Sequence, residues 1–306
     1  MPIKVPDNLP AIETLNAEAV DIIPQELAMQ QDIRPLRLLL LNLMPKKKDT
    51  EIQFARLFGN TPLQVEMILM TTASYTPRNT EPGYMRRFYR QLDDVRDDYF
   101  DALIVTGAPV ETLPFTDVTY WQELTEIMEW SRSHCFRRLG ICWGAQALLH
   151  HFHDVPKYEM DKKLFGIFEH RLNDLSGRLM NGFTDNFPMP ISRYTMNHPE
   201  DLEKAGLQIL AEGDECGVGM VRDAATGDLF VLNHLEYDAA TLGDEFHRDT
   251  AEGKETALPE HYFPNDDVTK TPVNFWRPFA FLLISNWIND LYQATPFDLA
   301  ATLKKR

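Results

Sequence analysis

Cysteine is scarce in this chain. Only Cys135, Cys142 and Cys216 occur among its 306 residues, and so odd and sparse a set, without a Cys-x-x-Cys pair, excludes both a disulfide framework and a thiolate zinc site. A reducing compartment is implied. Basic residues are also short, with 30 Lys and Arg against 46 Asp and Glu and a formal net charge of -16, so a phosphate backbone or an anionic bilayer would be repelled. Neither nucleic acid nor membrane is an expected partner. Long apolar runs are missing, the longest being residues 279–284, and residues 1–13 lack the basic-then-apolar order of a secretory signal. The expected location is the cytoplasm. What the chain does hold is 44% hydrophobic and 11% aromatic residues, enough for a sizeable core.

No internal repeat or linker-like stretch divides the sequence, so a single domain with insertions is expected. Residues 1–34, polar and punctuated by proline, read as an N-terminal arm of the kind that serves contacts in a homodimer. The core domain follows over 35–298, and 299–306 form a C-terminal tail. The apolar run 36–44, ended by Pro45 and a lysine cluster, predicts a buried parallel strand. Helical patterns over 51–58, 85–92, 120–131 and 145–152 then alternate with strand patterns over 65–70, 102–105 and 136–142. That order predicts a doubly wound α/β fold, a mostly parallel sheet flanked by helices with its site at the carboxyl ends of the strands. The second half is less regular. Strands are expected over 179–189, 208–211, 217–222 and 229–235, a helix over 239–250, a Pro-rich acidic loop over 258–272 and an apolar helix over 276–292.

Gly140-Ile141-Cys142-Trp143-Gly144 has the Gly-x-nucleophile-x-Gly form between a predicted strand and a predicted helix. The glycines allow a sharp turn that exposes Cys142 at a helix N-terminus, where the dipole and free N–H groups favour a thiolate. The same amides are suited to an oxyanion. A thiolate needs a base, and Asn233-His234-Leu235-Glu236-Tyr237 supplies one. His and Glu two apart on a strand share a face, so Glu236 is placed to fix the tautomer of His234 while His234 faces the cysteine. Cys135 and Cys216 have no such setting. His134, His150, His151 and His153 are less suitably placed.

The Gly-x-Cys-x-Gly elbow followed later by His-x-Glu in an α/β core resembles the class I glutamine amidotransferase fold. Further segments narrow the resemblance to the homoserine O-acyltransferases of methionine biosynthesis: Leu41-Asn42-Leu43-Met44-Pro45-Lys46-Lys47, Thr106-Gly107-Ala108-Pro109, Lys163-Leu164-Phe165-Gly166, His234-Leu235-Glu236-Tyr237, Tyr262-Phe263-Pro264-Asn265-Asp266-Asp267 and Asn286-Trp287. The resemblance implies that Cys142 carries the acyl group as a thioester, with His234 as proton acceptor and Glu236 as its partner. It also implies that Lys163, Ser192 and Arg248 contact the substrate. A guanidinium suits the bidentate clasp of an α-carboxylate, and Lys163 adds positive charge to the same pocket. For each of them a solvated surface charge is the plainer alternative. Trp143 and Gly107 or Ala108 are the implied oxyanion donors, and Lys46 and Lys47 are positioned to meet CoA phosphates.

Glu111, two residues after the Gly-Ala-Pro turn, occupies a position that in the resembling family is linked to acetyl rather than succinyl transfer. The substrates expected are therefore L-homoserine and acetyl-CoA, with no metal and no bound cofactor. Three segments depart from the usual pattern. Asn233-His234-Leu235-Glu236 stands where Gly-His-Pro-Glu is common, Pro278-Phe279 where Ser-His is expected, and Thr195-Met196-Asn197 is unlike the family forms. Two other readings of the residues remain beside this one: a glutamine amidotransferase or cysteine hydrolase, which would release its acyl group to water, and a non-catalytic binding protein on the same scaffold.

Overall fold

The computed structural model describes residues 34–75, 80–173 and 177–304, together with the backbone of 3–5 and 22–24. Most of the arm expected over 1–34 lies outside the described residues. Within it, β1 (Ile3–Val5) pairs in parallel with β2 (Ile22–Pro24).

Leucine dominates the first core strand, β3 (Leu36–Leu41), and the strand is buried on both faces. Side chains of a strand alternate sides. Leu36, Leu38 and Leu40 accordingly join Phe54 and Phe58 of the helix Lys47–Phe58 and Trp287 of the helix Arg277–Ala294. Leu39 and Leu41 meet Leu124 and Met128 of the helix Trp121–His134 and Leu148 of the helix Trp143–His153 on the other side. The sheet is thus covered on both faces, as a parallel sheet must be. Beside β3 lie β4 (Val65–Met70) and the short β5 (Tyr89–Arg90) on one flank, and β6 (Phe100–Val105) and β7 (Cys135–Ile141) on the other. β12 (Leu229–Val231) extends this parallel half from β7, with Ile141 opposite Val231.

Beyond β12 the pairing turns antiparallel through β11 (Gly217–Arg222), β10 (Gln208–Gly213), β8 (Tyr158–Leu172) and β9 (Asn186–Met196). Among the described residues β3 to β12 form one mixed sheet of ten strands, apart from the β1–β2 pair.

Several expected boundaries move. The strand over 36–44 stops at Leu41 because the Leu43 N–H is taken by Thr106 Oγ1 at 2.8 Å rather than by a neighbouring strand. The helix over 85–92 divides into Pro82–Phe88, β5 and Leu92–Val95. The strand over 179–189 gives way to a 3₁₀ turn at Arg178–Met180, and β9 begins only past Gly182, whose φ is +83°. The fifteen-residue β8 was not legible. Past the boundary at 298 the chain stays on the domain, since the helix Leu299–Leu303 buries both end leucines. Among the described residues no helix is long and apolar enough to cross a membrane.

Candidate active site

The parallel strands end level with one another, Val105 opposite Leu41 and Gly140, and Ile141 opposite Val231. Their next residues gather at one rim. Cys142 is the first residue past β7 and takes φ 49° and ψ -118°, an uncommon conformation for a residue with a side chain. Its N–H donates to the Val231 carbonyl at 2.7 Å, which holds the elbow in place and leaves that amide unavailable to an oxyanion. Trp143 begins the helix, so its N–H has no intrahelical acceptor.

The glycines act through close approach. A Cβ on Gly140 would lie 2.5 Å from Ala145 Cα, and one on Gly144 would lie 2.4 Å from the Val105 carbonyl oxygen and 2.5 Å from that of Thr106. Gly144→Ala is therefore expected to destabilise the chain by ~2–3 kcal/mol, as overpacking does, and to lower the thermal unfolding midpoint by several degrees. A midpoint equal to wild type would show that the helix start is free to move off β6.

His234 and Glu236 are not on a strand, because β12 ends at Val231 and the pair sits in the loop and turn that follow. The expected partnership is nonetheless made: His234 Nδ1 meets Glu236 Oε1 at 2.7 Å, which turns Nε2 to the Cys142 side. The loop is fixed by the His234 N–H, donated to the Pro190 carbonyl at 2.9 Å, and by Tyr237, whose ring stacks on the imidazole at 4.1 Å. Burial alone would lower the imidazole pKa, but the charges of Cys142 and Glu236 and the hydrogen bonds to both raise it well above its ordinary value. Gly107 closes the rim. A Cβ there would stand 3.3 Å from His234 Cε1 and 3.5 Å from Cys142 Cβ. No acceptor among the described residues takes the Gly107 or Ala108 N–H.

Lys163, Ser192 and Arg248 converge, and the residue that gathers them is Glu245. Its Oε1 accepts from Lys163 Nζ at 2.6 Å and from Ser192 Oγ at 2.8 Å, with Arg248 Nη2 at 4.0 Å. Arg248 itself is clasped by Asp249 at 2.8 Å. Glu111 belongs to the same electrostatic neighbourhood. Burial pushes its carboxyl up, while Lys163 and His234 pull it down and Glu245 pushes it up again.

Two cavities flank the rim. One of about 320 Å³ is lined by Lys46, Gln53, Tyr237, Glu245 and Arg248, and the other, about 420 Å³, by Glu111, Phe115, His150, Lys157 and Thr195. A larger space of about 550 Å³ opens beside Arg171, Glu212 and His261 and touches none of these groups. Of the lysine pair only Lys46 lines a cavity. Lys47 is turned inward, its ammonium donating to the Asn42 carbonyl, and burial lowers its pKa to about 8 against the pull of Glu51. It is not placed to meet a CoA phosphate.

The profile of the homoserine O-succinyltransferase family matches residues 2–297. The chain belongs to this family. It is 50% identical over 301 residues to a homoserine O-acetyltransferase of Clostridium beijerinckii, covering 98% of this chain and 99% of that one. A homoserine O-acetyltransferase of Brevibacillus brevis is 49% identical over 301 residues, with 98% of each chain covered. Among solved structures, a glutamine amidotransferase from Thermotoga maritima superposes with a TM-score of 0.56 at 11% identity, over 85% of this chain and all of that one (100%). A glutamine amidotransferase from Methylobacillus flagellatus gives 0.53 at 12%, over 84% of this chain and 95% of that one. These two show the fold alone.

In this member of the homoserine O-succinyltransferase family, Glu245 escaped the sequence reading, and two features named there were given no structural role. Glu245 lies on the helix Thr241–Ala251, three residues before Arg248, and its only signal was that spacing. Tyr237 was named within a motif but given no role. The unusual Thr195-Met196-Asn197 stretch is a packing feature: Thr195 Oγ1 donates to Gln146 Oε1 at 2.9 Å, and Gln146 Nε2 donates to Asn197 Oδ1 at 3.3 Å, tying β9 to the helix that Cys142 begins.

Proposed function

We propose that the chain is a homoserine O-acetyltransferase working through an acyl-thioester on Cys142. The observation that carries this reading is the strained Cys142 elbow facing a buried His234 whose other nitrogen is held by Glu236. In the first half-reaction Cys142 Sγ attacks the acetyl carbonyl carbon of acetyl-CoA, the bond from that carbon to the CoA sulfur breaks, and His234 gives its proton to the departing thiolate. The γ-hydroxyl of homoserine then passes its proton to His234 as its oxygen attacks the thioester, and Cys142 leaves as thiolate. Trp143 and Gly107 or Ala108 supply N–H groups to the oxyanion of each step. Arg248 and Lys163 suit the α-carboxylate of homoserine, and Glu245 suits its ammonium. No metal or bound cofactor enters the scheme.

Glu111 directs the choice of donor. Its side chain fills space that a succinyl group needs and sets a carboxylate against that group's own. Burial raises the Glu111 pKa, so the space-filling effect, which does not depend on ionisation, acts even where the charge is lost. The succinyl reading has the family description in its favour, and a donor assay separates the two. Wild type is expected to prefer acetyl-CoA in kcat/KM, and Glu111→Gly to move the preference ~10–100-fold toward succinyl-CoA. A wild type that prefers succinyl-CoA refutes the donor assignment, and an unmoved preference in Glu111→Gly refutes the role of that residue. CoA release that continues without homoserine would favour a hydrolase instead.

A further inference from the structure

Three arginines are buried among the described residues: Arg137, Arg138 and Arg193. The first two are paired, Arg137 with Asp290 and Arg138 with Asp228, each at 2.6 Å. Arg193 is the most deeply buried at 2% exposure, yet it has no carboxylate partner among the described residues. Its guanidinium donates to uncharged acceptors, the Thr195 carbonyl at 2.8 Å, the Cys216 carbonyl at 2.7 Å and Asn233 Oδ1 at 3.3 Å. A buried cation left without a counter-charge is strongly destabilising.

Its position suggests what offsets it. Asn233 directly precedes His234, and its side chain also meets His170 Nε2 at 2.8 Å, so one amide links the guanidinium to the loop of the catalytic histidine. Thr195, which accepts from Arg193 through its carbonyl, bonds Gln146 in the helix that begins after Cys142. Burial lowers the Arg193 pKa, and Cys142 first, then Cys216, act to raise it. Two titratable side chains beside it, Cys216 and His170, are neutral near pH 7. Burial lifts the Cys216 thiol to about 11 and lowers the His170 imidazole to about 4, and burial together with Glu245 and Glu236 holds Tyr237 well above its ordinary value. Across the rim, Glu111 and Glu245 face Lys163 and Arg248.

We propose that Arg193 is a positioning residue for acyl transfer, a fixed buried cation that balances the Cys142 thiolate in a site otherwise left with one excess negative charge. Imidazolium, thiolate and Glu236 carboxylate sum to a single negative charge, and the guanidinium brings the sum to zero. Once the thiolate is capped as a thioester the balance turns positive, which favours loss of the proton from His234. The histidine is then ready as the base for the second half-reaction. One cation serves both steps.

This inference rests on Cys142 being the nucleophile, and the test keeps the two apart. The rate of Cys142 alkylation by iodoacetamide, read by mass at that residue, is measured against pH for the full-length wild type, Arg193→Gln and Arg193→Lys, with acetyl-CoA-dependent CoA release alongside. Arg193→Gln keeps hydrogen-bond donors without the charge. It is expected to raise the alkylation midpoint by about one pH unit and to slow CoA release ~10-fold at neutral pH, with Arg193→Lys recovering most of both. An unmoved midpoint in folded Arg193→Gln overturns the proposal even where activity falls, because a packing role would lower activity without moving the thiol. Where the glutamine variant gives no folded chain, Arg193→Lys decides: a midpoint within about half a unit of wild type is expected, and a rise of a unit or more overturns the proposal. Retained turnover in Cys142→Ala would instead remove the nucleophile reading beneath it.

Discussion

Cys142→Ala is expected to lose at least ~10³-fold in acyl transfer while the chain stays folded, the scale on which removal of a nucleophile acts. The fold does not depend on the thiol. The elbow is held by the Cys142 N–H to the Val231 carbonyl at 2.7 Å and by the close seating of Gly140 and Gly144, all of them backbone features that alanine preserves. Cys142→Ser is expected to fail equally, because an alcohol ionises too weakly to use an oppositely charged imidazolium. CoA release is measured with and without homoserine, and thermal unfolding is followed on the same samples. Near-normal turnover by a folded Cys142→Ala would sink the covalent mechanism.

His234→Ala is expected to cost a similar factor, and the two losses are expected not to multiply. Residues acting as one unit are grossly non-additive, since once either is gone the other has nothing to act upon. The geometry predicts that behaviour here, because the other strong partner of the imidazole is Glu236 and the ring is buried between Tyr237 and Gly107. The double variant should fall within ~10-fold of the worse single one. If its rate were instead the product of the two single losses, Cys142 and His234 would be acting independently and the proposed pair would be wrong.

The parallel half of the fold was legible because its signals are local. The leucine run of β3, the apolar stretches of β6 and β7 and the helices between them follow burial periods that a single sequence displays. The elbow was legible for the same reason, since two glycines and a cysteine between strand and helix lie within five residues. The hairpin of β8 and β9 was not. The first seven residues of β8 are exposed or half-buried and carry no alternation, so the strand is held by its ladder to β9 rather than by a pattern of its own. His234 and Glu236 were paired correctly from spacing but for the wrong local reason, as a turn rather than a strand brings them together. Lys47 and Glu245 show a further limit. Whether a charge points inward or outward is decided in part by partners distant in the chain, Tyr89 for the one, Lys163 and Ser192 for the other.

β7 and β12 are neighbours in the sheet although all of β8 to β11 lies between them in the chain. Cys142 and the His234 loop thereby leave the ends of adjacent strands, which lie one interstrand spacing apart, about 4.8 Å, and the loop is pinned to β9 through the Pro190 carbonyl. This adjacency also orders events during folding. Non-local pairings form late because the chain between them must first be closed, so the elbow is locked only when β12 docks beside β7 and brings the Val231 carbonyl to the Cys142 N–H. Until that moment Cys142 is without its histidine. On the proposed mechanism a half-folded chain therefore has no means of capturing an acyl group, and reactivity is switched on by the same ladder that finishes the sheet.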